Sequence, residues 1–236
     1  SHSEAIDWIE ATCKREGIDC GFKRVDGFLF PGEGHSAPDL RQDLKAAHRA
    51  GLKDVELLKK NPVPSLSSGP CLKFPRQGQF HPMRYLTALA QAIKGHGGEI
   101  FTNTRVTEVK NEAPIQVITE NGSEVKAHTV VVATNTPFND RVIIHTKQAA
   151  YRSYVLAFNI PLGSVPQALF WDTLDSYHYA RTQVEDSSEL LIVGGEDHRT
   201  GQSFGEEQCF ERLEAWAREK FPQAGSVRYE WSGQVA

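Results

Sequence analysis

The run Thr129-Val130-Val131-Val132-Ala133 constrains the fold more than any other stretch. It has five residues with no charge and no period-two alternation, and the polar tripeptide Thr134-Asn135-Thr136 closes it. A strand with one wet face alternates apolar and polar residues. An unbroken β-branched run therefore predicts a strand buried on both faces, as in a parallel sheet covered by helices. Gly78-Gln79-Phe80-His81-Pro82 leads into a helix whose stripe is Met83, Leu86, Leu89, Ala90 and Ile93. Pro82 stands in its first turn, where a missing N–H is tolerated. Gly95-His96-Gly97-Gly98 ends it. Glu99-Ile100-Phe101 and residues 104–110 read as strands, and residues 114–119 enter a hairpin whose Asn121-Gly122 predicts a type I′ turn into Val125.

Helix, strand, strand, hairpin and buried strand is the order of the second half of a nucleotide-binding α/β domain. Gly95-x-Gly97 is not its phosphate loop. It follows a helix and leads into a strand, whereas a pyrophosphate cradle needs glycines in a strand-to-helix turn. With the first half missing, and with a single Met (Met83) behind a first residue that is Ser, the chain reads as a piece of a longer enzyme.

Twenty-six Lys and Arg against thirty Asp and Glu give a net charge of -4, so no electrostatic reason exists to expect nucleic acid or an anionic membrane as partner. No apolar run approaches the roughly 20 residues of a membrane helix, and residues 1–10 lack the basic start of a signal peptide. A cytoplasmic location is the expectation. Cys13, Cys20, Cys71 and Cys209 form no CxxC pair, which argues for incidental thiols rather than zinc. Glu196-Asp197-His198 reads as an exposed loop, because adjacent residues rarely converge on one metal ion. His35 reads as solvent-exposed.

Elsewhere, residues 4–16 form an amphipathic helix with Ala5, Trp8, Ile9, Thr12 and Cys13 on one face and Gly17 as its stop. Residues 21–30 read as a strand. Residues 39–50 read as a helix with Leu40, Leu44, Ala47 and His48 on one side, 52–60 as a short helix, and 71–75 as a short strand. After Asn139-Asp140 the pattern changes to short strands without intervening helices, at 150–160, 168–171, 177–181 and 190–193, which predicts an antiparallel sheet. Tyr177 and Tyr179 fall on one face of it and His178 on the other. A last helix over 206–220 has Ser203 and Glu206 as a capping box and Leu213, Trp216 and Ala217 as its core stripe. Residues 227–231 form a final strand.

Four segments together resemble one family. They are Gly78-Gln79-Phe80-His81-Pro82; Gly98-Glu99-Ile100-Phe101 with Thr104-Arg105-Val106; Val130-Val131-Val132-Ala133-Thr134-Asn135; and Trp231-Ser232-Gly233-Gln234. In order and spacing the chain resembles the FAD-dependent amine and amino-acid oxidoreductases of the D-amino-acid oxidase, glycine oxidase and sarcosine oxidase group. Ala133-Thr134-Asn135 and the stretch from Phe170-Trp171-Asp172 to Tyr179-Ala180-Arg181 look most like members with an added Rieske domain. No Cys-x-His pair of that kind occurs in this chain.

The resemblance implies an α+β fold, with a partial FAD-binding α/β half and a mostly antiparallel substrate-binding sheet flanked by helices. On that reading residues 1–74 and 141–225 belong to the substrate-binding domain. Residues 75–140 are part of the FAD-binding domain, and 226–236 begin the return to it. FAD is the implied cofactor of the full-length parent, which would oxidise a C–N bond of a small amine or amino acid by hydride transfer to flavin. The fragment alone is expected to be inactive. Val106 would turn its backbone to the adenine, and Ala133, Thr134 and Asn135 would form the cofactor loop at a strand's carboxyl end. Trp171, Tyr179 and Arg181 would line the substrate wall, with Arg181 holding a carboxylate. Because the flavin takes the hydride, no strong base is demanded, and the catalytic residue is unassigned. His81 is read as a helix cap, and Gln79 as meeting cofactor, substrate or a loop. The plainer alternative for Arg181 is packing along a half-wet sheet face. For the whole chain, the alternatives are a non-catalytic ligand- or protein-binding module, a flavoenzyme acting on C–O bonds, or one passing electrons to an iron–sulfur partner outside this chain.

Overall fold

The structure, a computed structural model, describes residues 2–35, 37–134, 150–185, 188–201 and 205–235, with the backbone alone at Ala37 and Pro38. The chain packs as two compact units, residues 1–86 with 151–235, and residues 87–150.

The first unit is built on an eight-stranded sheet. Its strands are β1 (Lys23–Phe30), β2 (Glu56–Leu58), β3 (Cys71–Gln79), β7 (Tyr151–Ile160), β8 (Leu169–Asp172), β9 (Tyr179–Glu185), β10 (Ser188–Arg199) and β11 (Val227–Val235). They lie in the order β11-β7-β10-β9-β8-β1-β3-β2. Among the described residues every pairing in this sheet is antiparallel except β1 with β8, which joins its two halves in parallel.

Alternation along the strands sends side chains to two faces. On one face Phe28, Phe30, Phe170, Ala180, Leu191, Val193, Tyr154, Leu156 and Phe158 pack against Cys209, Leu213, Ala217 and Phe221, which belong to helix α4 (Glu206–Lys220) and its end. On the other face Leu72 packs with Leu40 of α2 (Ala37–Arg49), and Leu29 and Phe74 pack beside them. Helix α1 (His2–Glu16) buries Thr12 and Cys13 and is tied to β1 by Arg24, which donates to Asp7 Oδ1 at 2.6 Å and Glu10 Oε2 at 2.8 Å. Ala5 and Trp8 are exposed, so the inner stripe of α1 lies one position round from the expected one, with Ile6 against Gly78.

Helix α3 (Pro82–Gly95) begins in the first unit and ends in the second. The His81 side chain caps it as expected, accepting from Arg84 N at 3.3 Å. Its expected stripe is not inward: Met83, Leu86 and Ile93 are exposed, and Tyr85 is the buried residue. The second unit also holds the meander β4 (Val106–Lys110), β5 (Ile115–Thr119) and β6 (Glu124–Ala127).

Five sequence expectations are corrected. Residues 52–60 are not a short helix; Glu56–Leu58 is a strand that exists because β3 pairs with it. Glu99-Ile100-Phe101 is not a strand. Thr129–Ala133 is likewise no strand, and Val131 is 82% exposed, because no neighbouring strand pairs with it among the described residues. The hairpin at Asn121-Gly122 is present, but only Gly122 is left-handed (φ 82°), and Thr119 N bonds Ser123 O across a three-residue loop, so the turn is not type I′. The N-cap of α4 is Gly205 with no side-chain cap, and Ser203 lies outside the described residues.

Candidate functional site

On the face of the first sheet that carries α1 and α2, those helices pack on β3 and β2, toward one end. Beside them opens a cleft of about 1010 Å³, lined by Leu29, Leu169, Trp171, Tyr177, Tyr179, Arg181, Ser153 and Asp197, with His2, Asp43 and Val235 also on its wall. Trp171, Tyr179 and Arg181, singled out from sequence, thus share one cavity. Strand alternation is the reason: Leu169 pairs with Arg181 and Trp171 with Tyr179, so all four side chains leave the same face.

Two glycines seat the aromatic rings. Tyr179 stands opposite Gly194 in the β9–β10 register, and a Cβ on Gly194 would lie 2.2 Å from the tyrosine Cζ. A Cβ on Gly27 would lie 2.8 Å from Trp171 Cζ3. Both rings therefore lie down on bare backbone. Phe74 flanks Trp171 at 5.4 Å between centroids, and Tyr177 flanks Tyr179 at 5.9 Å.

Arg181 is the cation of this wall. Its Nη1 donates to Gln183 Oε1 at 3.1 Å, and no carboxylate pairs with it among the described residues. Burial lowers its pKa. Burial likewise raises that of Tyr179, and the nearby Asp197 charge pushes the same way.

Beneath the cleft, on the α4 side, lies a second set of polar groups. His178 Nδ1 meets Asp172 Oδ2 at 2.9 Å and its Nε2 meets Glu196 Oε1 at 3.4 Å. Arg212 Nε of α4 donates to Glu196 Oε2 at 2.6 Å, and the Trp216 ring stacks on the imidazole at 4.5 Å between centroids. Burial works to lower the His178 pKa, but the hydrogen bond and charge of Asp172, helped by Glu196, outweigh it and the net shift is upward. Asp172 borders the cleft beside Trp171, His178 is the chain neighbour of Tyr177 and Tyr179, and Glu196 is that of Asp197.

Glu196-Asp197-His198 is not the exposed loop expected from sequence. It lies inside β10, where the register with β7 slips between Gly195 and His198. Glu196 is left-handed there (φ 57°). The slip sends Glu196 to Arg212 on the α4 side while Asp197 lines the cleft, the re-aiming that a β-bulge performs. Sequence reasoning missed Asp197, Ser153 and the His178 network. The usable signal was Gly194-Gly195 inside an apolar strand, since glycine there marks a bulge or a close approach.

The remaining sequence candidates fall in the second unit. Val106 opens β4 opposite Thr119. Ala133 and Thr134 are exposed on a segment without regular structure, and Asn135 lies outside the described residues. Gln79 is buried, with Nε2 donating to Thr182 O of β9 at 3.3 Å, so it holds the sheet together. His35 is exposed as expected and meets Thr173 Oγ1. Among the described residues no group of three or more His, Cys, Asp or Glu could hold a metal, and no helix is long and apolar enough to cross a membrane.

The chain matches a family model described as FAD dependent oxidoreductase (DAO) over residues 2–236, and it belongs to that family. It is 27% identical over 235 residues to YhfW of Bacillus subtilis (strain 168), a protein named for a Rieske 2Fe-2S iron-sulfur protein, covering 99% of this chain and 45% of that one. It is 30% identical over 144 residues to the gamma-glutamylputrescine oxidoreductase of Escherichia coli (strain K12), covering 59% of this chain and 33% of that one. The chain therefore spans less than half the length of these relatives. Its fold is that of glycine oxidase from Geobacillus kaustophilus, with TM-score 0.75, 19% identity, and 98% of this chain and 65% of that chain covered. It is also that of L-proline dehydrogenase from P. horikoshii, with TM-score 0.77, 16% identity, and 100% and 66% covered. The resemblance stated from sequence and the α+β fold class both hold.

Proposed function

We propose that the eight-stranded unit is the substrate-binding part of an oxidoreductase that oxidises a C–N bond of a small amine or amino acid. One observation carries this reading: Arg181 is a partly buried guanidinium in an aromatic cleft with no carboxylate partner among the described residues. A charge withdrawn from water without a counter-charge is costly. A substrate carboxylate, gripped through the guanidinium fork, would offset that cost. Trp171 and Tyr179, held flat over Gly27 and Gly194, would bound the substrate's apolar part and exclude water around it.

The cleft also suits the family's cofactor. At about 1010 Å³ it stands at the upper end of the range of roughly 300–1,000 Å³ for drug-sized ligands, leaving room for a planar ring beside a small amine. In the second unit, Val106, Ala133, Thr134 and Asn135 are the residues that the family resemblance assigns to FAD, and Ala133 and Thr134 are small and exposed. When bound, FAD supplies the acceptor for two electrons as hydride. The chain's own residues would orient the C–N bond: Arg181 fixes one end of the substrate and the aromatic pair fixes its plane. The likeness to YhfW favours a version in which electrons pass to an iron–sulfur partner outside this chain.

The test is FAD titration by flavin fluorescence on this chain and on the complete reading frame, followed by anaerobic flavin reduction with a panel of small amino acids. The expected result is binding and reduction in the complete protein, with Arg181→Gln raising KM for carboxylate substrates at least tenfold and leaving FAD affinity unchanged. Failure of the complete protein to bind FAD would overturn the reading.

A further inference from the structure

We infer that Asp197 is the cation-recognising residue of the cleft, so that the ligand it takes is dipolar, with a carboxylate at Arg181 and an ammonium group at Asp197. The inference rests on the cleft being the substrate site and adds the class of substrate.

Three aspartates border the cleft among the described residues, Asp43, Asp172 and Asp197, and the Asp172 carboxylate is already taken up by His178 Nδ1 and by the Leu174 and His178 backbone N–H groups. Asp43 is exposed on α2 and meets water. Asp197 is partly buried, and its Oδ1 is sealed from solvent with no hydrogen-bond donor. A buried carboxylate oxygen without a donor is unfavourable unless a ligand supplies one. The acidic groups close by in the sheet have partners. Asp172 accepts from His178, and Glu196 accepts from Arg212, both on the α4 side. The bulge after Gly195 is what separates Glu196 from Asp197 and leaves the latter in the cleft. The Ser153 hydroxyl lines the same wall beside the Tyr179 phenol and can accept a second ammonium hydrogen.

Register sets the spacing of the two charges. Arg181 pairs with Ile192 and Tyr179 with Gly194, and Asp197 follows further along β10. With a strand rise of about 3.3 Å per residue, and one residue absorbed by the bulge, the Cα atoms of Arg181 and Asp197 are roughly 13 Å apart along the strand. The side chains close part of that gap, with the Tyr179 ring between them. A carboxylate and an ammonium on one carbon are too close together to reach both. A ligand whose charges are separated by several methylenes fits.

The experiment is calorimetric titration of this chain with 6-aminohexanoate, hexanoate and glycine as probes, using the wild type, Asp197→Asn, Asp197→Glu and Arg181→Gln. The wild type is expected to bind 6-aminohexanoate about tenfold more tightly than hexanoate, about 1.4 kcal/mol, and glycine more weakly than either. Asp197→Asn should erase the preference while leaving hexanoate affinity intact, and Asp197→Glu should keep it. Arg181→Gln should weaken both longer probes. A preference that survives in Asp197→Asn overturns this inference and leaves the reading of Arg181 standing. Hexanoate binding that ignores Arg181→Gln, or no binding of any probe to the wild type, overturns the site reading and this inference with it.

Discussion

Tyr179 lies across Gly194, its partner in the β9–β10 register, so closely that a Cβ on the glycine would stand 2.2 Å from the ring's Cζ and 2.3 Å from its Oη. The floor of the cleft at this point is therefore backbone, and the ring's position depends on the absence of one methyl group. Gly194→Ala should force the phenol off the sheet at a cost of about 1–3 kcal/mol, the range for overpacking a filled site. Tyr179→Ala should cost stability by itself, and the double variant should cost less than the two single changes together, because the clash exists only when both side chains do. Urea unfolding of the four proteins checks this. Additive losses would mean that the ring does not rest on Gly194.

The opposite face of the sheet depends on ordinary packing. Leu213 of α4 is fully buried among Phe158, Leu191 and Phe221. Leu213→Ala should destabilise the first unit by about 2–5 kcal/mol through the lost contacts and the cavity left behind. Leu213→Met, which keeps volume, should cost under about 1.5 kcal/mol. Equal losses from both would place Leu213 outside the core.

Much of this architecture was legible in the chain, and the reasons differ by element. Strands β1, β7, β9 and β10 and helices α1, α2 and α4 follow from local pattern, because each carries enough apolar residues to announce its period. Strand β2 did not, since three residues become a strand only when β3 pairs with them. The seats for Trp171 and Tyr179 were invisible because a glycine's use depends on which ring crosses it from another strand. Asp197 was misread for a related reason: strict alternation aims residues from the strand pattern, and the bulge at Gly195 resets that aim. The family resemblance grouped Trp171, Tyr179 and Arg181, which do line one cleft, and strand alternation set His178 against Tyr177 and Tyr179. It could not supply Asp172 and Glu196 as the partners of that histidine, or Arg212 behind Glu196, since they come from three separate elements.

The run Val130-Val131-Val132 offers a direct check on the largest departure from the sequence pattern. Val131 is 82% exposed and Val132 37%. Substitutions at exposed positions usually fall within about 0.5 kcal/mol. Val131→Thr should accordingly leave the urea midpoint of this chain unchanged. A loss above about 1 kcal/mol would show that the run is buried in solution.

His178 gives the chain a pH dependence whose sign follows from its neighbours. Its pKa is raised in the fold: burial opposes the shift, but Asp172 first and then Glu196 favour the imidazolium, and Arg212 faces the pair from α4 only through Glu196. A group whose folded pKa exceeds its unfolded value of about 6.5 contributes fully below that value. The contribution is then lost as pH rises through the folded pKa. Wild-type stability should therefore fall from about pH 6.5 upward. His178→Asn should flatten that slope. It should also cost about 3 kcal/mol at pH 6, because Asp172 is only 3% exposed and would be left without its cation. Urea unfolding at pH 6.0, 7.0 and 8.5, chosen to bracket an ordinary imidazole pKa of about 6.5, gives both quantities. The same slope in wild type and variant would mean that another group carries the pH dependence, and that His178 sits neutral between its two carboxylates.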